Sequence, residues 1–139
     1  MLLLDTHAWV WIVEGDTRRI GRRAQQALTK AETADGIRIS PVSIFEVTAL
    51  CASGRLRLAG PAEGWVRQAL SANGVRLAEM TPAVSIDAGG IPRAALADPM
   101  DRLLVATARQ LGATLLTADT LILAYAQRTG DVRVQNAAL

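Results

Sequence analysis

The chain has 139 residues, half of them hydrophobic, and a formal net charge of +2. That suits one domain (residues 1–139) with a real core, and no apolar run reaches the roughly 18 residues of a membrane span. One cysteine, Cys51, excludes an internal disulfide, and one histidine, His7, excludes a soft-ligand metal cluster. Asp5 ends the first apolar stretch after four residues and no basic segment precedes it, so a secretory signal is not expected and a reducing, cytoplasmic setting is. Of the fifteen basic residues only Lys30 is a lysine. The arginines, clustered at Arg18, Arg19, Arg22 and Arg23 and again at Arg55 and Arg57, suit bidentate phosphate contacts. They fit a solvated helix face in a G- and C-rich genome equally well, so nucleic acid is permitted rather than demonstrated.

In chain order, Met1–Leu4 has the length and apolarity of a strand. Thr6–Val13 reads as a helix and 18–34 as a second, with Ile20, Ala24, Ala27 and Leu28 on one side and Gly36 as its stop. Ile37–Ile39 is a short strand. "SPVSIFEVTALCASG" is a helix capped by Ser40, with Pro41 at its first position and Gly54 beyond its end. "LAGPAEG" reads as a linker, 65–70 as helix, Val75–Leu77 as strand, and "DAGGIP" as loop. "DPMDRLLVATARQLG" is a capped helix closed by Gly112, followed by the strand "ATLLT", a helix over 121–128 and a last strand at "DVRV". Strands alternating with helices predict an α/β fold with a mainly parallel sheet.

On that frame the acids fall into place. Asp5 ends the first strand, and Asp119 follows the strand "TLLTAD" in the same way. Glu46 stands in the second turn of its helix among Ile44, Phe45 and Val47, with no partner nearby in sequence. Asp101 begins a helix whose Leu104, Val105 and Ala108 are spaced for burial, while Arg102 and Arg109 are expected on the opposite side. In a parallel sheet the carboxyl ends of strands and the amino ends of the following helices share one edge, where open α/β sheets bind ligands. All four acids belong to that edge.

Each has a plainer reading. Asp5 and Asp119 can cap the helices that follow them, and Asp98 can cap the helix at Pro99 and pair with Arg102. Asp101, three residues into that helix, suits its dipole. Glu46 has the weakest such reading, since a buried carboxylate without a partner is costly. Taken together, four oxygen-donor carboxylates favour a hard cation such as Mg²⁺, with Mn²⁺ as a substitute, and metal-assisted phosphodiester hydrolysis. Thr117 and Ser43 are placed to hold water or outer ligands. His7, in the first turn of an apolar helix, reads as structural rather than as a base. Trp9 and Trp11 read as core or a dimer interface rather than as base-stacking groups, and Cys51 as a small buried hydrophobe.

The segments "LLLDTHAWVW", "SPVSIFEVTAL" with "GRLRL", "DPMDRLLVATA" and "LLTAD" resemble, in order and spacing, the PIN-domain ribonucleases, and most closely the VapC toxins of bacterial toxin–antitoxin pairs. The resemblance spans essentially the whole chain. It implies a three-layer α/β/α sandwich and a Mg²⁺-dependent endoribonuclease acting on RNA. It also implies a VapB-like antitoxin as inhibitor and a homodimer. The family's acids fall on Asp5, Glu46, Asp101 and Asp119, with Thr6, Thr117, Ser43 and Asp98 as a supporting tier. The chain departs from the subgroup pattern "HRDPFDR", having Leu96 and Ala97 where His and Arg are usual and Met100 in place of the aromatic.

Other functions fit less well. A phosphoaspartate receiver or a dehalogenase-type phosphatase needs a late lysine, and the only lysine is Lys30; a nucleotide-binding module needs a glycine-rich loop after its first strand, and "DTHAW" has no glycine. The alternative within the fold is a catalytically silent domain that binds RNA or protein. Such a domain is expected to lack at least one acid, and none is missing.

Overall fold

A computed structural model describes residues 1–139 as five strands and seven α-helices. In order these are β1 (Leu2–Leu4), α1 (Thr6–Val13), α2 (Arg22–Thr33), β2 (Ile37–Ile39), α3 (Pro41–Ala52), α4 (Ala62–Leu70), β3 (Val75–Leu77), α5 (Pro82–Gly90), α6 (Pro99–Leu111), β4 (Thr114–Thr117), α7 (Thr120–Thr129) and β5 (Val134–Asn136). The sheet order is β3-β2-β1-β4-β5 and every pairing is parallel. The chain therefore starts in the middle, builds outward to β3, then crosses to the far side of β1 to lay down β4 and β5. The carboxyl ends of β1 and β4 flank the reversal, the place where a parallel sheet opens a crevice.

Alternation along β1 divides the core into two layers. Leu2 and Leu4 face a cluster that includes Trp9, Ile39, Val47 and Trp65, while Leu3 faces one with Leu104, Val105, Leu115 and Ile122. A strand covered on both faces has no polar side, which is why "LLL" carries none. The result is the expected three-layer α/β/α sandwich. Leu3 is fully buried, so Leu3→Ala is expected to cost about 2–5 kcal/mol in chemical denaturation. A loss below about 1 kcal/mol would mean that the central strand tolerates a void that close packing forbids.

Four expectations on element bounds need correction, each because a tertiary contact overrides the local pattern. The second helix starts at Arg22, not at residue 18. Residues Thr17–Arg19 form a 3₁₀ turn instead, and Gly21 is extended. A Cβ on Gly21 would lie 2.1 Å from the Leu139 carbonyl carbon, and the Leu139 oxygen accepts from the Arg23 and Ala24 amides at 2.7 and 3.3 Å. The far end of the chain thus caps α2. Helix α5 takes in the first four residues of the expected "DAGGIP" loop and the stretch before it: Thr81 accepts from the Val84 amide and Pro82 occupies the first turn, but two glycines at its end hide the pattern. The "linker" before residue 65 already turns helical at Ala62. Strand β5 covers Val134–Asn136 rather than "DVRV", because Asp131 is bound by the Tyr125 hydroxyl at 3.0 Å and closes the turn after α7.

The arginines of α6 also differ from expectation. Arg109 does not point into solvent: it donates to Asp87 of α5 through two nitrogens and lies 3.6 Å from Asp131. This charge-assisted clamp holds α5 on α6. Arg102 does not pair with Asp98. Its Nη2 reaches the Ala97 carbonyl at 3.5 Å, and its Nε is buried without a partner.

Candidate active site

The four acids do gather at the reversal, and the caps are real as well. Asp5 is buried; its Oδ1 accepts from the Ala8 amide at 2.8 Å, capping α1, while its Oδ2 accepts a short hydrogen bond from Thr117. Asp119 caps α7 through the Leu121 and Ile122 amides at 2.8 and 3.1 Å. Thr117 joins the two, since its oxygen also accepts from the Asp119 amide at 3.0 Å. Capping and clustering are therefore not rival explanations. A cap needs one carboxylate oxygen: the second oxygen of Asp119 carries no hydrogen bond, and that of Asp5 is held by Thr117.

Glu46 finds its partner forty residues away, where the Thr6 hydroxyl donates to Oε1 at 2.7 Å. The Thr6 and fully buried Ser43 hydroxyls are themselves hydrogen-bonded at 3.1 Å. This chain of hydroxyls ties α1 to α3 beneath the carboxylate. Thr6→Val removes the donor and leaves Ser43 and Glu46 short of a partner, an expected loss of about 1–3 kcal/mol in thermal or urea unfolding, while Thr6→Ser is expected to retain most of the stability. Equal stability of all three forms would mean that solvent already satisfies Glu46.

Asp98 caps α6 through the Met100 amide at 2.8 Å, and Asp101 follows one turn later. Burial, and then the fields of Asp98, Asp119, Glu46 and Asp5, raise the Asp101 carboxyl from 3.8 to about 7. Glu46 is raised by burial and by Asp98 and Asp5, against the pull of Thr6 and His7. Asp5 is raised by burial despite the bonds from Thr117 and Ala8. Three partly or fully buried acids with raised affinity for protons around one crevice define a region short of positive charge. The side chains form a ring, not a closed cage: no three of them stand at the spacing that grips one ion. An all-oxygen ring whose members repel one another nevertheless has the donor chemistry that suits a hard divalent cation.

His7 departs from its structural reading. It is exposed, and with Asp5, Trp11, Ala118 and Asp119 it lines a hollow of about 180 Å³. Position alone held the signal: a residue two beyond a strand-ending acid opens the helix at the crevice rim. Trp9 is core, packed edge-on against Trp65 with ring centroids 5.0 Å apart, whereas Trp11 is only half-buried. Cys51 is partly buried against the core, as a small hydrophobe would be.

The fold and the acids at its reversal agree with the family match: the PIN domain profile matches residues 2–133, and the chain belongs to the PIN domain family. Among known proteins it is 36% identical to Ribonuclease VapC22 of Mycobacterium tuberculosis (strain ATCC 25618 / H37Rv) over 118 residues, 85% of this chain and 86% of that protein. Its fold is similar to the structure of VapBC2 from Rickettsia felis bound to a DNA fragment from their promoter, with a TM-score of 0.68 and 16% identity over 97% of both chains. It is also similar to FitAcB from Neisseria gonorrhoeae, with a TM-score of 0.61 and 23% identity over 99% of this chain and 98% of that one.

Proposed function

We propose that this protein is a divalent-metal-dependent endoribonuclease, the toxin of a toxin–antitoxin pair. The observation that carries the reading is the crevice at the sheet reversal between β1 and β4: five carboxylates lie near one another there, and burial together with the fields of the other four raises half-buried Asp101 to about 7. A fold does not retain that much mutual repulsion for stability alone. Membership of the PIN domain family, and a relative named as a ribonuclease, support the activity.

Asp5, Glu46, Asp101 and Asp119 are the residues that would hold one or two Mg²⁺ ions, with Mn²⁺ as a substitute. Bound there, such an ion supplies an activated water and neutralises charge at the scissile phosphate. The protein's own part is positioning. Thr117 orients Asp5 and Asp119, Thr6 and Ser43 orient Glu46, and Asp98 adds negative field while fixing the first turn of α6. The exposed Arg18, Arg22 and Arg23 are available to the RNA backbone.

The same reading places a VapB-like antitoxin as inhibitor and a homodimer in the cytoplasm. Exposed apolar side chains beside the acids, Phe45 next to Glu46 and Leu121 next to Asp119, are consistent with a partner covering this edge. No helix is long and apolar enough to cross a membrane. The alternative, a silent domain that only binds, is separated by one experiment. Purified protein and a mixed RNA pool are incubated with Mg²⁺, with Mn²⁺ and with EDTA. Cleavage in the metal lanes alone is expected; RNA binding without cleavage in any lane would establish the silent domain instead.

A further inference from the structure

We propose that Trp11 is a base-stacking residue: a nucleobase beside the scissile phosphate lies against its indole at the rim of the acidic crevice. The proposal rests on the nuclease reading above and goes beyond it by naming the contact that holds the substrate's base.

Three observations carry it. Trp9 and Trp11 are neighbours but one on the same short helix, yet Trp9 is enclosed in the core at 2% exposure while Trp11 packs against its edge and stays half-exposed. Trp11 instead reaches the hollow it shares with Asp5 and Asp119, and also lines a second hollow of about 240 Å³ with Thr17, Ile20 and Gln25. The indole thus keeps one part against the core and stands with the rest as the partition between two hollows, one of them acidic. Its surroundings complete a stacking platform. The Arg19 guanidinium lies 5.4 Å from the indole centroid and is steadied by Asp16 at 3.0 Å, and the His7 ring is 6.3 Å away. With the cation over one face of the indole, a flat, electron-rich base is taken on the other, and the phosphate attached to that base falls toward the neighbouring arginines. The base is taken by its face rather than by its edge, so the contact fixes position with little preference among the four bases.

The test separates stacking from cleavage. A short single-stranded oligoribonucleotide of mixed sequence is titrated in EDTA against the parent, Trp11→Phe and Trp11→Leu, following intrinsic fluorescence and, independently, anisotropy of a labelled oligonucleotide. Trp9 and Trp65 are buried, so quenching by a stacked base reports on Trp11. The parent is expected to quench on binding. Trp11→Phe should lose the quench and hold its affinity within a few-fold, and Trp11→Leu, shown by its melting curve to be folded at the temperature of the titration, should bind about tenfold or more weakly. RNA bound by the parent without quench, or bound equally by Trp11→Leu, overturns the proposal. Cleavage is assayed alongside in Mg²⁺. A parent that quenches but does not cleave keeps the stacking role and removes the nuclease reading. A parent that cleaves while both variants bind and cleave as it does removes the stacking role alone, and a parent that neither binds nor cleaves removes both.

Discussion

Asp5→Asn is expected to fold as the parent does, to melt at the same temperature or higher, and to lose RNA cleavage by about a hundredfold or more. The stability half follows from the cap. Asparagine keeps the oxygen that accepts from the Ala8 amide, and the Thr117 hydroxyl can turn to meet the new amide group. The parent, moreover, holds a carboxyl in a buried place that raises its affinity for protons, so its ionised form is a burden on the fold that the neutral amide removes. The activity half follows from charge. Losing an outer partner of a metal ligand typically costs about 10- to 100-fold, and losing the ligand's own charge costs more. Asp5→Ala is the informative companion, expected to lose cleavage and about 0.5–2 kcal/mol of helix capping as well. Cleavage by Asp5→Asn at the parental rate would reduce Asp5 to a cap and end the metal reading.

The second large effect concerns protons and cations competing for the same ring. Asp101 has its folded-state pKa raised from 3.8 to about 7, so between those values the folded protein binds more protons than the unfolded chain. The slope of stability with pH is then negative: the metal-free protein is expected to be most stable near the lower end of that window and to lose stability as pH rises through about 7. Glu46 and Asp5, also raised, act in the same direction. A divalent cation needs the ionised forms, so the rise in melting temperature on adding Mg²⁺ or Mn²⁺ should be small near pH 5 and large near pH 8. Asp101→Asn should flatten the metal-free pH dependence and shrink the cation effect at high pH. Melting curves over that range, with EDTA and with each metal, test it. A cation effect independent of pH would show that the ions bind elsewhere.

The two effects share an origin in the way the site is built. Asp5, Asp98 and Asp119 each devote one oxygen to backbone amides at a helix start, which fixes the carboxylate with no long side chain to immobilise. Glu46, longer and placed in mid-helix, needs the Thr6 hydroxyl instead. The site is thus held by helix starts, which also supply a favourable dipole for the negative charge they hold.

Much of this was legible in the chain itself. Alternating apolar runs of strand and helix length, the caps Ser40 and Asp98 with prolines after them, and Gly112 in the left-handed conformation beyond α6 are local chemistry, and local chemistry can be read one segment at a time. The same holds for the edge to which the four acids belong, because strand direction and chain order assign it. What the order of residues left open was every decision made by a distant partner. Leu139 decides where α2 begins, Arg109 and Asp87 hold α5 against α6, Tyr125 and Asp131 set the start of β5, and Thr6 meets Glu46. His7 and Trp11 belong with these. Helical spacing places them on a face, but only packing decides whether that face meets core or crevice. Periodicity is a property of neighbours along the chain, whereas burial, partner and pKa are properties of neighbours in space, and here the second set is what brings four acids, only two of them caps, under one another's influence.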